Sequence, residues 1–286
     1  MKILVTGATG FIGNHVIKFL LEKNFSIIAI SRDLDKAKKM TWYENVKYIQ
    51  FDISKSDSIS NLYEYFDRPD ILIHLAWSGL PNYLDLVHIE ENLFHHSKFL
   101  KKYIESGGKQ ILITGTCLEY GNQNGLLSEE MIPKPDCSYA IAKDNLRRYL
   151  VELQKNNMFI FQWVRLFYMY GKGQNPKAII PQLETAISRG ESEFKMSGGE
   201  QLRDYLPIES VAEYLSNIAL QKRITGIINC SSGTPISIRK LIEDEINKNN
   251  YKIKLNFGFY PYPSYEPMAF WGNNKKLSII INGKQK

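Results

Sequence analysis

The sequence from Lys2 to Gly13 reads KILVTGATGFIG, and this stretch decides the fold. Residues 2–6 form a short apolar run that predicts a β-strand. Residues 11–21 carry apolar side chains at helical spacing and predict an α-helix. The glycines between them therefore lie on a strand-to-helix turn, which is the arrangement that binds the phosphates of a dinucleotide.

Each of the three glycines in this turn has its own expected role. Gly7 allows the tight turn, Gly10 lets the backbone approach a pyrophosphate, and Gly13 lets the helix pack closely on the strand. The N-terminus of the helix supplies unpaired N–H groups and partial positive charge for the phosphates. The alternative interpretation is a cluster of loop glycines that merely turns the chain.

Strand-like and helix-like segments alternate along the first part of the chain. Buried strands are predicted at residues 26–30, 46–51, 70–75, 110–114 and 159–167. Helices are predicted at residues 56–66, 83–106 and 139–155. This alternation is typical of an α/β fold with a Rossmann-type, doubly wound parallel sheet.

The pattern loosens from about residue 171. Helical spacing is found at 177–189 and 209–221, and a stretch rich in proline and aromatic residues covers 257–267. We expect residues 1–170 to form the dinucleotide-binding domain. Residues 171–286 are expected to form mainly a smaller C-terminal substrate-binding lobe, with some segments returning to the sheet. Such a lobe would lie at the carboxyl ends of the strands, where open α/β sheets bind ligands.

The composition is that of a soluble globular enzyme. The chain has 286 residues, of which 44% are hydrophobic and 23% are charged. No apolar run approaches a membrane span and no signal peptide precedes the first strand, so a cytoplasmic protein with no membrane partner is expected. The net charge of +6 comes from scattered basic residues, which suits an anionic small molecule and argues against nucleic-acid binding.

Cysteine and histidine usage argues against a metal site. The three cysteines, Cys117, Cys137 and Cys230, show no Cys-x-x-Cys spacing, so neither a disulfide framework nor a zinc site is expected. His95 and His96 form an isolated pair on a polar helix and are expected to be solvated at the surface.

Tyr139 and Lys143 are one helical turn apart. A phenol that exchanges protons near neutral pH needs a pKa below its ordinary value of about 10. A lysine on the same helix face can lower that pKa through its charge, and it can also hold a ribose hydroxyl. We therefore expect Tyr139 to be a general acid/base and Lys143 to be its electrostatic partner. For this spacing taken alone, an ordinary pair on a helix surface is the alternative.

Six segments carry a resemblance to a known family. They are TGATGFIG at 6–13, HLAW at 74–77, TGTCLEYG at 114–121, YAIAK at 139–143, RLFYMYG at 165–171 and RDYLPIESVA at 203–212. In this order they resemble the extended short-chain dehydrogenase/reductase family that acts on nucleotide-activated sugars. The similarity covers nearly the whole chain and implies a Rossmann fold, a dinucleotide cofactor and a nucleotide-sugar substrate.

The resemblance also indicates which residue hydrogen-bonds the reacting oxygen. In the family this is a Ser or Thr that lies four residues before the tyrosine of a Tyr-Gly element. That element is Tyr120-Gly121 here, so the residue is Thr116. Members that remove water carry Asp-Glu immediately after this position, whereas Cys117 and Leu118 follow it here. Dehydration is therefore not expected, and a reductase or an epimerase remains.

The end of the second strand bears on the choice of cofactor. NAD-binding proteins usually have an acidic residue where Ser31 stands, while Arg32, assisted by Lys36, suits the 2′-phosphate of NADP. NADP(H) is therefore preferred, and NAD(H) remains possible because Asp33 is close. The alternative role of Asp33 is to cap the short helix that follows.

The resemblance implies further residues around the cofactor and the substrate. The expected cofactor-binding residues are Gly7, Thr9, Gly10, Phe11, Ile12, Ser31, Arg32, Asp52, Ile53, Leu75, Ala76, Trp77, Asn92, Tyr139 and Lys143. The expected substrate-binding residues are Trp77, Ser78, Thr116, Cys117, Lys177 and Arg203. Trp77 can equally be a core residue. The segments around Tyr262–Met268 and Trp271 resemble the tail of reductases in 6-deoxyhexose pathways.

Together these features predict an NADPH-dependent reductase of the C4 keto group of a 4-keto-6-deoxy sugar linked to dTDP, CDP, GDP or UDP. Deoxysugar or surface-polysaccharide biosynthesis is the expected setting. A nucleotide-sugar 4-epimerase that retains NAD is one alternative, and a non-catalytic protein that senses the cofactor is another. Related enzymes often pair helices such as 83–106 and 139–155 between subunits, so a homodimer is expected by resemblance.

Overall fold

The structure, a computed structural model, describes residues 1–262 and 267–283. The strands are β1 (Lys2–Thr6), β2 (Ser26–Ser31), β3 (Lys47–Gln50), β4 (Ile71–His74), β5 (Gln110–Thr116), β6 (Gly125–Leu127), β7 (Ile160–Leu166), β8 (Tyr168–Tyr170), β9 (Glu193–Lys195), β10 (Leu202–Arg203), β11 (Tyr205–Pro207), β12 (Gly226–Cys230), β13 (Ile236–Ser237), β14 (Lys254–Asn256) and β15 (Phe270–Gly272). The helices are α1 (Phe11–Glu22), α2 (Leu34–Lys38), α3 (Leu62–Tyr65), α4 (Leu93–Glu105), α5 (Ser138–Gln154), α6 (Ile179–Ser188), α7 (Ile208–Leu220), α8 (Ile238–Asn249) and α9 (Lys275–Asn282). A π-helical segment, His88–Asn92, leads into α4, and 3₁₀ turns cover Tyr43–Asn45, Ile53–Ser58 and Cys117–Tyr120.

The main sheet has seven parallel strands in the order β12-β7-β5-β4-β1-β2-β3. The chain runs outward from β1 to β3 and then crosses back to β4 on the other side of β1. The crevice at such a reversal is where doubly wound sheets bind ligands. The predicted α/β, Rossmann-type fold is confirmed.

Alternate residues of each strand enter two separate cores, because successive side chains of a strand point to opposite faces of the sheet. Ile3 and Val5 of β1 pack with α1, α7 and α9, and Leu4 packs with α4 and α5 on the other face. Both faces are therefore covered by helices. This explains why the strands are nearly continuous apolar runs.

Three elements from the second half of the chain complete the main sheet and the helices that cover one of its faces. β12 is an edge strand of the main sheet, and α7 and α9 share a core with α1. A further apolar cluster joins α6, α8 and β9 around Leu183 and Ile242. The division at residue 171 stays a prediction. The segment at 262–268 that resembles the tail of 6-deoxyhexose reductases includes residues 263–266, which lie outside the described residues.

Two predicted helices are shorter in the structure. The helix predicted from residue 83 begins at His88 as a π-helical segment and becomes α-helical at Leu93, because Pro81, Asn82 and Asp85 favour turns. The predicted helix 56–66 is instead a 3₁₀ turn followed by the single turn of α3. Asn61 separates them, since its side chain accepts a hydrogen bond from the Glu64 N–H at 2.9 Å and starts a new helix.

The glycine turn is tight at two points. Gly7 has φ of +66°, and a Cβ atom there would lie 2.8 Å from the backbone nitrogen of Ala76 at the end of β4. A Cβ atom at Gly13 would overlap the carbonyl oxygen of Gly7. The first position therefore needs a left-handed backbone, and the second allows α1 to pack against the end of β1.

A buried polar chain joins the ends of β1 and β4 to α4. The Thr6 hydroxyl accepts hydrogen bonds from the N–H groups of Leu75 and Ala76, each at 3.1 Å, so its own proton is donated to Nδ1 of His74 at 3.0 Å. His74 must then carry its proton on Nε2, which donates to Nδ1 of His96 at 2.8 Å. The network thus assigns the tautomers, and His96 is left with an N–H at Nε2.

Both histidines are neutral. Burial lowers the pKa of His74 to about 3, and the charge of Lys143 lowers it further. Burial also lowers the pKa of His96 well below its ordinary value, with His74 and Lys143 adding to the effect. The prediction that the histidine pair is solvated is therefore wrong for His96. A pattern of polar neighbours along α4 could not reveal a partner on β4.

Within the described ranges, 1–262 and 267–283, the helices all fall short of the length and apolar character needed to cross a lipid bilayer.

Replacing Thr6 by valine keeps the shape of the side chain and removes the hydroxyl. Two backbone N–H groups and His74 then lose their shared partner in a buried place, so we expect Thr6→Val to lower the free energy of unfolding by about 1–3 kcal/mol. Urea unfolding measures this. The matched control is Thr185→Val on α6, where the hydroxyl is exposed and the expected change is within about 0.5 kcal/mol. Equal changes for both variants would contradict the assigned network.

Candidate active site

A cleft of about 540 Å³ opens at the carboxyl ends of β1, β2 and β4. Gly10, which lines it, is the N-cap of α1 and offers no side chain to the first N–H groups of the helix. No acidic residue occurs in that first turn. These N–H groups are therefore available to an anion, and the glycines let it approach the backbone. The cleft fits the diphosphate of a dinucleotide.

Most of the predicted cofactor residues line this cleft. They are Gly7, Thr9, Gly10, Ser31, Arg32, Asp52, Ile53, Leu75, Ala76, Trp77 and Asn92. Phe11 and Ile12, at the start of α1, pack instead against the hydrophobic core. Tyr139 and Lys143 lie behind Trp77. Sequence reasoning missed several lining residues, namely Thr6, Phe51, Ser54, Glu91, His95 and His96. Thr6 ends β1 and begins the glycine motif, but no motif marks the other five, which reach the cleft because the end of β3 and the start of α4 pass beside it.

One end of the cleft carries two basic side chains, Arg32 and Lys36. Among the residues that the structure describes, none forms a hydrogen bond or ion pair with the Arg32 guanidinium. Asp33 is the N-cap of α2, and its carboxylate accepts a hydrogen bond from the Lys36 N–H at 2.8 Å. Ser31 shares a hydrogen bond with the Tyr48 hydroxyl at 3.0 Å. This end therefore offers a cation, while the Asp33 carboxylate is held by the backbone. Asp52 also lines the cleft, and although burial opposes it, the Arg32 charge is one of the causes that lower its pKa.

Trp77 lies at the centre of the site, directly after β4. Its ring stacks on His96 with the ring centres 4.6 Å apart, and Nζ of Lys143 lies 4.0 Å from the ring centre of Trp77. The indole N–H donates to Nδ1 of His88 at 3.1 Å. Trp77 therefore separates the cleft from α5 and contacts Nζ of Lys143 through its ring face.

The π-helical segment before α4 brings Asn92 to the cleft. Its side-chain amide donates to the carbonyl oxygen of Ser78 at 3.0 Å and accepts from the Ser78 hydroxyl at 2.6 Å. Both residues line the cleft, so Ser78, predicted to contact substrate, lies on the cofactor side. An i→i+5 segment of this kind is frequent at functional sites.

Tyr139 and Lys143 occupy successive turns of α5, and both are buried. Nζ of Lys143 donates to the carbonyl oxygen of Thr114 at 2.8 Å. The ring centre of Tyr139 lies 6.0 Å from that of Trp77 and 5.6 Å from that of Tyr83. The tyrosine therefore stands between the wall of the cleft and the loop that precedes α4.

Burial dominates the electrostatics of this pair. It raises the pKa of the Tyr139 phenol, and the charges of Tyr83 and Glu119 raise it further. Burial lowers the pKa of Lys143 to about 7, and Glu119 opposes this. The expected lowering of the pKa of Tyr139 is therefore wrong for the protein by itself, because the low-dielectric surroundings disfavour the phenolate.

Thr116 ends β5 and is the N-cap of the turn Cys117–Tyr120. Its hydroxyl accepts a hydrogen bond from the Leu118 N–H at 3.2 Å, and its backbone N–H donates to Oε1 of Glu119 at 2.9 Å. Together these contacts form a capping box. Since the hydroxyl oxygen is held as an acceptor, its proton can be donated to a ligand oxygen.

A second cavity, of about 440 Å³, lies on the other side of Tyr139. Its lining is mostly apolar and includes Pro81, Tyr83, Leu84, Cys117, Leu118 and Phe270. Two acidic residues, Asp85 and Asp136, also line it. The Tyr139 N–H donates to the carbonyl oxygen of Tyr83 at 3.0 Å, which ties this wall to the start of α5. Cys117, which was predicted to contact the substrate, is therefore one of the residues that line this cavity.

The other two predicted substrate residues lie elsewhere. Lys177 is exposed just before α6. Arg203 is buried, its guanidinium donates to the carbonyl oxygens of Leu202 and Met268, and it stacks 4.5 Å from the ring centre of Phe270. Neither the dinucleotide cleft nor the second cavity is lined by Lys177 or Arg203. In the part of the chain that the structure describes, no three His, Cys, Asp or Glu side chains are arranged to hold a metal ion.

Known proteins with similar sequences are nucleotide-sugar enzymes. The chain is 30% identical over 274 residues to a dTDP-6-deoxy-L-talose 4-dehydrogenase (NAD(+)) of Aggregatibacter actinomycetemcomitans, an alignment that covers 95% of this chain and 99% of that protein. It is 27% identical over 269 residues to a dTDP-4-dehydro-6-deoxyglucose reductase of Escherichia coli, covering 89% of this chain and 84% of that protein.

Solved structures share the fold across the whole chain. A UDP-glucose-4-epimerase from Stenotrophomonas maltophila, with bound NAD and formylated UDP-arabinopyranose, superposes with a TM-score of 0.87 at 16% identity, covering 99% of this chain and 92% of that one. The model of one protein family, described as the NAD dependent epimerase/dehydratase family, matches residues 3–231. The resemblance drawn from the sequence motifs is therefore confirmed, and the chain belongs to the NAD dependent epimerase/dehydratase family.

Proposed function

We propose that this protein uses NADPH to reduce the C4 keto group of a nucleotide-linked 4-keto-6-deoxy sugar. One observation carries the proposal. The buried Tyr139 lies between Trp77, which lines the dinucleotide cleft, and Tyr83, which lines the second cavity. A proton donor in that place can serve a sugar carbonyl in the second cavity while a nicotinamide occupies the end of the cleft.

The side chains divide the chemistry among them. When bound, the nicotinamide supplies the hydride to C4. Tyr139 donates its phenolic proton to the carbonyl oxygen, and the Thr116 hydroxyl donates a hydrogen bond to the same oxygen. The charge of Lys143 stabilises the phenolate that remains. Because Lys143 lies behind the Trp77 ring, its contact with a ribose hydroxyl requires that ring to turn aside when the cofactor binds. Because burial raises the pKa of Tyr139, the phenol is protonated at neutral pH, which is the form that a reduction needs.

The apolar lining of the second cavity supports a 6-deoxy sugar. A C6 methyl group would suit buried lining residues such as Cys117 and Phe270, whereas a C6 hydroxyl would give up hydrogen bonds to water there. The names of the two similar enzymes, from Aggregatibacter and Escherichia coli, both describe C4 redox chemistry on a dTDP-linked 6-deoxy sugar. A dTDP sugar is therefore the first substrate to test.

The test is an assay of NADPH oxidation, with NADH in parallel, against dTDP-, CDP-, GDP- and UDP-linked 4-keto-6-deoxy sugars. We expect one member of the panel, first of all the dTDP sugar, to be reduced. Silence across the panel, together with NAD released on denaturing the purified protein, would favour the 4-epimerase. Cofactor binding with no turnover of any nucleotide sugar would favour the sensor protein.

Tyr139→Phe is the variant that ties the assay to this site. Loss of the proton donor should lower kcat by about 10²- to 10⁴-fold, the usual range for a general acid. The dissociation constant of NADPH should change little, because the ring is kept. A variant with nearly the wild-type rate would rule Tyr139 out as the acid.

Arg32 tests the choice between NADPH and NADH. Loss of one charge-assisted contact with the 2′-phosphate should raise the KM for NADPH roughly 10- to 100-fold in Arg32→Gln and leave that for NADH unchanged. Lys38→Gln is the control, since Lys38 is an exposed base on α2 that does not line the cleft. If Arg32→Gln affects both cofactors equally, Arg32 does not recognise the 2′-phosphate.

The proposal includes a homodimer formed through α4 and α5. Each helix exposes an apolar side chain, Phe94 on α4 and Val151 on α5. Light scattering should give twice the chain mass of 33.1 kDa, and Phe94→Glu combined with Val151→Glu should shift the mass toward that of one chain. A monomer in the unchanged protein would contradict this assembly.

A further inference from the structure

Glu119 is a fully buried carboxylate in the turn that follows Thr116. Its oxygens accept hydrogen bonds from the Thr116 N–H at 2.9 Å, from the indole N–H of Trp163 at 3.0 and 3.1 Å, and from Nε of Arg165 at 2.7 Å. Arg165 is equally buried. Both oxygens thus accept hydrogen bonds, and the three donor residues come from two neighbouring strands, β5 and β7.

The surrounding backbone is shaped to admit this carboxylate. A Cβ atom at Gly115 would overlap Oε1 of Glu119 and the indole nitrogen of Trp163. Gly115 is paired with Arg165 across β5 and β7, so the strand leaves room where the ion pair lies. A buried ion pair is seldom the most stable choice, since apolar residues of similar volume are often as good or better. Its presence beside Thr116 suggests a use other than stability.

Glu119 acts on Thr116 through the backbone. The carboxylate holds the Thr116 N–H, and the Thr116 hydroxyl in turn accepts from the N–H of Leu118. Both sides of this residue are therefore fixed, and the direction in which the hydroxyl can donate is set. Arg165 and Trp163 anchor the carboxylate to the core of the sheet.

Glu119 also acts on Lys143 and Tyr139 through its charge. Burial lowers the pKa of Lys143 to about 7, and the Glu119 charge opposes this, so it favours the ammonium. For Tyr139, burial raises the pKa, and Tyr83 and then Glu119 raise it further, so the phenol stays protonated. The other titratable groups facing the pair are His74, His96, His88, Tyr83, Cys117 and Cys137. Among the described residues that shift these two groups, Glu119 is the only carboxylate.

We propose that Glu119 is a positioning residue that orients the Thr116 hydroxyl and supplies a buried negative charge that favours the ammonium form of Lys143 and the protonated form of Tyr139. This inference rests on the proposed reductase function, since it concerns the state from which a proton is donated. It assigns the Glu119–Arg165 pair, which lies outside both cavities, to the chemistry of the site.

The test is the double variant Glu119→Gln with Arg165→Gln, which removes both charges and keeps polar side chains of similar size. Without the carboxylate, Lys143 loses its proton at a lower pH, so the alkaline fall in kcat should move to lower pH. Above the alkaline limit we expect kcat to be lower than in the unchanged protein, by roughly tenfold for each pH unit by which the limit moves. An alkaline limit at the wild-type pH would overturn the proposal.

Glu129→Gln is the matched control. Glu129 is another buried carboxylate nearby, and it accepts a hydrogen bond from the Asn229 N–H at 3.0 Å. It shifts neither Lys143 nor Tyr139. We expect it to lower the melting temperature and leave the pH profile unchanged. A shift equal to that of the double variant would show that loss of stability alone moves the profile, and it would count against Glu119.

Two further measurements keep the result decisive. If the double variant does not fold, the single variant Arg165→Gln leaves the carboxylate less compensated and should move the alkaline limit to higher pH; no movement would overturn the proposal. If no panel sugar is reduced, the proposed function fails, but the role of Glu119 can still be tested.

That test is the dissociation constant of NADPH, measured by its fluorescence from about pH 6 to about pH 9, which reports the charge of Lys143. Parallel profiles for the double variant and the unchanged protein would overturn the role of Glu119.

Discussion

The close contact between the end of β1 and the start of α1 is the constraint on which the site depends. The helix can meet the strand only because Gly13 has no side chain to strike the Gly7 carbonyl oxygen. In that position the uncapped N–H groups of the first turn of α1, which follow Gly10, face the space above the sheet, where their partial positive charge would attract a diphosphate. The cleft, its Arg32 end and the wall formed by Trp77 are all arranged around this one contact.

The second organising feature is charge held away from water. Lys143, Glu119 and Arg165 are all buried, and each charged form would be costly without its partners. Two neutral histidines, His74 and His96, lie on the far side of Trp77 and add no competing charge. A low dielectric strengthens every remaining interaction, so a single carboxylate influences both the lysine and the tyrosine. The proton donation proposed for Tyr139 would therefore depend on the whole buried network.

Sequence patterns predicted six of the seven strands of the main sheet and the positions of α1 and α5, because the relevant signals are local; the edge strand β12 was not predicted. They failed where distant contacts decide. His96 has a polar helical neighbourhood but is buried by its hydrogen bond to His74. The predicted helix from residue 83 is a turn-rich loop that forms one wall of the second cavity. The raised pKa of Tyr139 could not be foreseen either, since spacing shows the nearby lysine but not the loss of solvent.

By itself the sequence determined the glycine turn, the strand and helix alternation and the one-turn spacing of Tyr139 and Lys143. Each of these depends on residues a few positions apart, whose geometry follows from a strand or helix alone. Only the tertiary structure decided that Glu119 would bind Trp163 and Arg165. It also decided that Thr6 would hydrogen-bond His74 on β4, which in turn bonds His96 on α4. These partners are tens of residues apart, and they meet only because the doubly wound sheet places the carboxyl ends of its strands side by side.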